Sequence, residues 1–185
     1  VYSREELKAI GEIAAAEDIL ILSDEIYEKL VYGEEKHVSI ASISKEIFDH
    51  TITVNGFSKA YAMTGWRLGY IAANKEIVQA CEKLQGQFTS GANSIAERAG
   101  IAALTGDLTP SRKMTEAFHQ RRDYVIGALK AIPGVKVNVP DGAFYAFPDI
   151  SSFFGKSDGE TTVTNDEELS MYLLHKGNIT TVSGS

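Results

Sequence analysis

Residues 19–23 (Ile-Leu-Ile-Leu-Ser) form an apolar run that ends on Asp24, and a helix signal stands directly before it. A run without polar alternation suits a parallel strand buried on both faces. The helix signal is a capping box, with Ser3 at the N-cap and Glu6 three residues on. Leu7, Ile10, Ile13 and Ala14 then recur at helical spacing to about Ala16. Helix followed by strand is half of a βαβ unit. A crossover is what brings the next strand in along the same direction, so the order requires an α/β fold with parallel pairing.

A second strand is expected over Thr51 to Val54. It runs into the turn Asn55-Gly56-Phe57-Ser58, which ends on Lys59, and Arg67 follows before a third strand over Leu68 to Ala73. Open α/β sheets place ligands at the carboxyl ends of their strands. A lysine there is a nucleophile when its amine is desolvated, and an arginine offers a planar fork for an anion such as phosphate. Asp24 would sit on the same edge as Lys59, with Tyr27 three residues on. An amine for a carbonyl, a clamp for a phosphate, a carboxylate for a pyridine nitrogen and a phenol for a ring oxygen describe a site for pyridoxal phosphate. Each residue also has a plainer reading. Lys59 and Arg67 can be surface cations, Asp24 a turn or N-cap carboxylate, and Tyr27 a half-buried aromatic.

Taken together and in order, Asp24-Glu25-Ile26-Tyr27, Ser58-Lys59 and Thr64-Gly65-Trp66-Arg67-Leu68-Gly69-Tyr70 resemble the class I, fold-type I pyridoxal-phosphate aminotransferases, the group containing prokaryotic aspartate aminotransferases. The resemblance covers essentially the whole chain. It implies Lys59 as the catalytic residue that joins the cofactor's aldehyde and moves a proton. It implies Asp24 on the ring nitrogen, Tyr27 on the ring oxygen, and Ser58 and Arg67 on the phosphate. Many relatives carry serine three residues before the lysine, where this chain has Gly56, so one phosphate hydroxyl is missing. Trp66 is expected to pack beneath the Lys59–Arg67 loop.

The implied fold is part of the fold-type I architecture, a mostly parallel sheet with flanking helices, plus part of a smaller α+β domain. Residues 1–107 would be the C-terminal part of the large cofactor domain, and 108–185 the interdomain helix and part of the small domain. The implied reaction is transfer of an amino group from an L-amino acid, aspartate-like favoured, to a 2-oxo acid by a homodimer. A lyase or synthase of the same fold, or a non-catalytic aminotransferase-like regulator, would share the same residues. The chain opens on Val1 and stops at Ser185 with both ends looking cut. The family's ring-stacking aromatic, phosphate loop and carboxylate-gripping arginine fall outside it, so the piece alone is expected to be inactive.

Composition narrows the partners. The net charge of -7 and the lack of any Lys/Arg block give no face for nucleic acid. No apolar run approaches a membrane span, and no stretch reads as a signal peptide, so a reducing cytoplasm is the expected compartment. Cys81 is the single cysteine and is expected as a small packed residue. The four histidines show no metal-binding spacing, and no metal is expected.

Along the rest of the chain, Tyr32 to Lys36 reads as a polar loop and Ile40 to Phe48 as a short helical turn or two. Asn74 caps a helix whose buried face is Ile77, Val78, Cys81 and Leu84. Gln85 to Asn93 reads as a connection, and Ser94 opens a helix packing through Ile95, Ala99, Ala102 and Ala103. Thr109 as N-cap with Pro110 at the first helical position starts the longest helix, to about Ile132, with His119, Arg121 and Arg122 on its solvated face. Val135 to Val139 and Gly142 to Phe147 read as strands, Ser151 to Asn165 as a mobile loop, Asp166 as the cap of a last helix, and Ile179 to Val182 as a last strand.

Overall fold

The first helix, α1 (Arg4–Ala16), begins where the capping box predicts: the Ser3 hydroxyl accepts from the Glu6 N–H at 3.2 Å, and the Glu6 carboxylate accepts from the Ser3 N–H at 2.8 Å. The structure is a computed structural model and describes residues 1–33 and 36–185. Glu34 and Glu35 of the expected loop lie outside the described residues. The chain divides into two compact units, Val1–Phe118 with Asp141–Ala143, and His119–Pro140 with Phe144–Ser185.

The first unit holds a three-stranded sheet. β1 (Ile21–Asp24) pairs in parallel with β2 (Thr51–Gly56), which pairs antiparallel with β3 (Gly69–Ala72). The parallel register, Ile21 with Thr51 and Asp24 with Val54, is the pairing the helix–strand order requires. β1 is at the sheet edge, and its apolar run is not buried on both faces as its composition predicts: Leu22 is 71% exposed.

Under the sheet, Ile47 is 2% exposed on α2 (Lys45–Asp49), which Ser44 caps by accepting from the Ile47 N–H. α1 reaches it through Gly11 and Ala14, while Ile10 and Ile13 of the predicted face stay exposed. A Cβ added at Gly11 would stand 2.6 Å from Ile47 Cδ1, so the helix lies close because this position has no side chain. Residues 141–143 rejoin the first unit: the Tyr32 N–H donates to the Asp141 carbonyl at 2.7 Å, the Ala143 N–H donates to the Leu30 carbonyl at 2.8 Å, and the Tyr32 hydroxyl donates to the Ala143 carbonyl.

Three more helices follow. Asn74 caps α3 (Lys75–Phe88), accepting from the Ile77 N–H at 3.0 Å. The helix extends through Gln85–Phe88, which the sequence reads as a connection, and none of its residues is fully buried; Cys81 and Leu84 are exposed. α4 (Ser94–Thr105) packs through Ala96 and Gly100, one position off the predicted stripe, because Gly100 lies against Phe57 and Leu68 with no room for a Cβ. α5 (Thr109–Lys130) starts one residue earlier than expected, and Asp107 rather than Thr109 supplies the capping oxygen, accepting from the Thr109 N–H at 2.9 Å. Arg122 leaves the solvated face: its side chain is 12% exposed and donates to the Pro140 carbonyl at 2.6 Å.

The strands expected over 135–139, 142–147 and 179–182 do not form, and Ala143 is left-handed with φ 57°. Strands form only where a neighbour completes the ladder, and among the described residues the first two segments make one bridge each, Lys136 with Asp149 and Gly142 with Val31. The segment expected as a loop over 151–165 carries a 3-10 turn at Ser151–Phe153 and a short hairpin of β4 (Lys156–Ser157) and β5 (Thr162–Val163). α6 (Asp166–Gly177) takes Asn165 as its cap in place of Asp166. The Asp166 carboxylate instead accepts from the Gly184 and Ser185 N–H groups at 2.7 and 2.9 Å.

Candidate active site

Two strands end side by side at the site. β1 stops on Asp24, opposite Val54 in the register, and β2 continues past Val54 to the turn that carries Ser58 and Lys59. Gly56 pairs with Gly69 across β2 and β3, and the Phe57 N–H donates to the Leu68 carbonyl at 3.2 Å, so the loop between them is closed at its base. Inside it, the N–H groups of Tyr61 and Met63 both donate to the Phe57 carbonyl at 3.3 Å. Phe57 is 6% exposed and anchors the loop from below, with its ring centroid 5.6 Å from that of Tyr61 and 6.0 Å from that of Tyr70.

Lys59 is half-buried, and its Nζ lies 6.0 Å from the centroid of the Tyr27 ring. The structure therefore brings together the amine and the phenol that the sequence singles out. Asp24 is exposed at the strand end, and its Oδ1 accepts from the Ile26 N–H at 3.1 Å, so the turn-carboxylate reading of this residue holds as well. Ser58 is half-buried in the turn. Arg67 is exposed and left-handed, with φ 51°, at the end of a 3-10 turn over Thr64–Trp66, and one guanidinium nitrogen donates to the Thr64 carbonyl at 2.8 Å. That bond uses one of the five N–H donors of the group. A non-glycine residue at positive φ is sparsely populated backbone and clusters at ligand-holding positions; Ala62 in the same loop, at φ 54°, is a second case. Trp66 is 46% exposed and so does not pack beneath the loop. An amine, a carboxylate, a phenol and a guanidinium on one sheet edge fit a ligand that combines an aldehyde, a ring nitrogen and an anionic group.

The match to known proteins is of the same extent. The family model described as aminotransferase class I and II matches residues 1–185. The chain belongs to the class I and II aminotransferases. It is 48% identical to a bifunctional aspartate aminotransferase and glutamate/aspartate-prephenate aminotransferase of Petunia hybrida, over 100% of this chain and 39% of that protein. It is 43% identical to an aspartate aminotransferase of Geobacillus stearothermophilus, over 100% of this chain and 46% of that protein. The crystal structure of the aspartate aminotransferase from Rhizobium meliloti superposes with a TM-score of 0.93 at 35% identity, covering 98% of this chain and 46% of that one. The chain thus spans less than half the length of these relatives, and its fold is a part of the fold-type I aminotransferase architecture.

Two features of this aminotransferase chain are not visible as motifs. Gly56, where a serine hydroxyl was expected from relatives, has a packing reason: a Cβ there would stand 3.0 Å from the Leu68 carbonyl oxygen and 3.1 Å from Gly69 Cα. Gly56→Ser is expected to destabilise the folded protein by about 1–3 kcal/mol through this overpacking, read as a lowered denaturant midpoint. An unchanged midpoint would show that the strands have slack.

The second is Glu25, a buried carboxylate 7% exposed beside Asp24. It accepts from Ser39 Oγ at 2.8 Å, from Ser23 Oγ at 3.1 Å and from His37 Nε2 at 3.1 Å. Burial pushes its carboxyl up, but the hydrogen bonds from His37, Ser39 and Ser23 and the charge of His37 outweigh it, so Glu25 sits below its ordinary value. A carboxylate lowered in the folded state adds stability that is complete above its unfolded value of about 4.3 and is lost as pH falls through the folded value. The stability difference between the native protein and Glu25→Gln should therefore be largest near neutrality and shrink below about pH 4. Denaturant titrations at four pH values check this, and a constant difference would count against an ionised Glu25.

Proposed function

We propose that this chain carries the catalytic lysine of a pyridoxal-phosphate-dependent aminotransferase that moves an amino group from an L-amino acid, aspartate-like, to a 2-oxo acid. The observation that carries the reading is the placement of Lys59 Nζ 6.0 Å from the Tyr27 ring, at a strand end next to the one bearing Asp24. The names of the relatives support the aspartate preference. Residues 1–107 are taken as the C-terminal part of the cofactor domain, and 108–185 as the interdomain helix with part of the small domain. We take the full-length protein to be a cytoplasmic homodimer. No described helix is long and apolar enough to cross a membrane.

Pyridoxal phosphate, when bound, supplies a carbonyl for the substrate amine and a ring that withdraws electrons from the substrate's Cα. Lys59 Nζ is the amine that holds the cofactor's aldehyde carbon. The same amine would carry a proton to and from the substrate's Cα, a general acid/base task. The Asp24 carboxylate holds a proton on the ring nitrogen, and the Tyr27 hydroxyl donates to the ring oxygen. Arg67 and Ser58 bind phosphate, helped by backbone N–H groups of the turn.

The direct test is to saturate the full-length protein with pyridoxal phosphate, reduce with borohydride, and map the modified residue by mass spectrometry. Stoichiometric label on Lys59 alone is the expected result. Label scattered over surface lysines would overturn the assignment. The 185-residue chain by itself, which spans less than half the length of these relatives, is expected to show no turnover.

A further inference from the structure

We propose that the buried Glu25 and the half-buried His37 form a lock that positions Asp24 toward the cofactor's ring nitrogen. This inference rests on Asp24 being the partner of that nitrogen. Along β1 and just past it, successive side chains point to opposite sides. Asp24 is exposed on the ligand edge, whereas Glu25 is buried on the other side. The two carboxylates therefore do different work from adjacent positions.

Glu25 is held through both its backbone and its side chain. Its N–H donates to the Val54 carbonyl at 2.8 Å, which extends the β1–β2 ladder one step beyond Asp24. Its carbonyl accepts from the Glu28 N–H at 3.0 Å, and the Leu30 N–H donates to the Tyr27 carbonyl at 2.8 Å, so the turn holding Tyr27 is built on it. Its side chain takes three hydrogen bonds, from Ser23 before Asp24 and from His37 and Ser39 far along the chain. Charge-assisted bonds to a buried carboxylate are the stronger kind, and each is lost at a high penalty when its partner is removed. The cluster thus pins the backbone on both sides of Asp24, whose own bond is the short-range one from the Ile26 N–H. Its negative charge also reaches β3: the Tyr70 phenol is pushed up by burial first and then by Glu28, Tyr61 and Glu25.

Glu25 and His37 are positioning residues in this scheme and touch no ligand. The test uses the full-length protein, with pyridoxal phosphate as the probe. Three quantities are read: the dissociation constant of the cofactor from titration of the apoprotein, the visible absorption band of the bound cofactor, which responds to protonation of its ring nitrogen, and the melting temperature of the apoprotein. Glu25→Gln is expected to weaken cofactor binding by about tenfold, the size of one lost charge-assisted hydrogen bond, and to shift the band. His37→Phe should do the same. His37→Gln retains an N–H at similar reach and should stay within about twofold of the native protein. If Glu25→Gln does not fold, the Phe and Gln variants of His37 carry the same comparison. A lowered melting temperature in Glu25→Gln or His37→Phe, with affinity and band unchanged, would overturn the proposal and leave the cluster a purely structural one. Asp24→Ala separates the two levels of the argument. If it too leaves affinity and band unchanged, the assignment of Asp24 to the ring nitrogen fails; if it abolishes them while Glu25→Gln does nothing, the lock alone fails.

Discussion

Lys59→Ala in the full-length protein is expected to lower kcat/KM for amino transfer by about 10⁴-fold or more. In the proposed mechanism the change removes one atom with two tasks, since Lys59 Nζ would both hold the cofactor and move the proton. General acid/base assistance alone is worth about 10²–10⁴, and loss of the covalent hold adds to it. Folding should be little affected, because Lys59 stands in a turn and is half-buried, not part of the buried core. Lys59→Arg should be nearly as damaging, for a guanidinium stays protonated and cannot act as a nucleophilic amine. Steady-state kinetics with the melting temperature measured in parallel decides the matter. Activity within about tenfold of the native protein would mean that another amine does the chemistry.

The second large effect concerns stability. Ile47→Ala should destabilise the protein by about 2–5 kcal/mol, the range for emptying a buried aliphatic site. Ile47 is 2% exposed, and its backbone carbonyl also accepts from the Thr51 hydroxyl at 2.6 Å, so the residue joins α2 to the start of β2. Its neighbour Gly11 supplies a companion experiment with an unusual sign. Glycine to alanine in a helix interior normally stabilises by about 1 kcal/mol. Here the new methyl would meet Ile47 Cδ1 at 2.6 Å, and overpacking of this kind costs about 1–3 kcal/mol. Gly11→Ala is therefore expected to lower the denaturant midpoint in the native background and to lower it less beside Ile47→Ala, where the methyl has room. Additive effects of the two substitutions would show that α1 moves aside freely.

Much of this was legible in the residues. Ser3 with Glu6 and Asn74 ahead of α3 were readable because caps are local chemistry, decided within three or four positions. The strand–turn–lysine arrangement was readable because it too is continuous in sequence. The long-range choices were not. Periodicity gave α4 an apolar stripe, but Gly100, which no hydrophobicity pattern scores, decided which stripe lies against Phe57 and Leu68. Alternation gave strands at 135–139 and 142–147, yet a strand also needs a partner, and a composition of β-formers cannot say whether one arrives. Cys81 is exposed for the same reason: the pattern of α3 identifies a face without identifying what meets it. The Glu25 cluster is not legible as a motif because His37 and Ser39 stand 12 and 14 positions beyond Glu25.

The pairing of Gly56 with Gly69 also bears on the order in which the site assembles. These residues are 13 positions apart, whereas the parallel pair Ile21 and Thr51 must close a span of 30. The longer closure carries an entropy penalty greater by about 0.7 kcal/mol, and local pairings form faster than remote ones. Lys59 and Arg67 are therefore expected to come together as a hairpin before Asp24 is delivered beside them. In kinetic terms, the hairpin carrying Lys59 and Arg67 is expected to be an early unit of the chain, with the carboxylate at the end of β1 joining it afterwards.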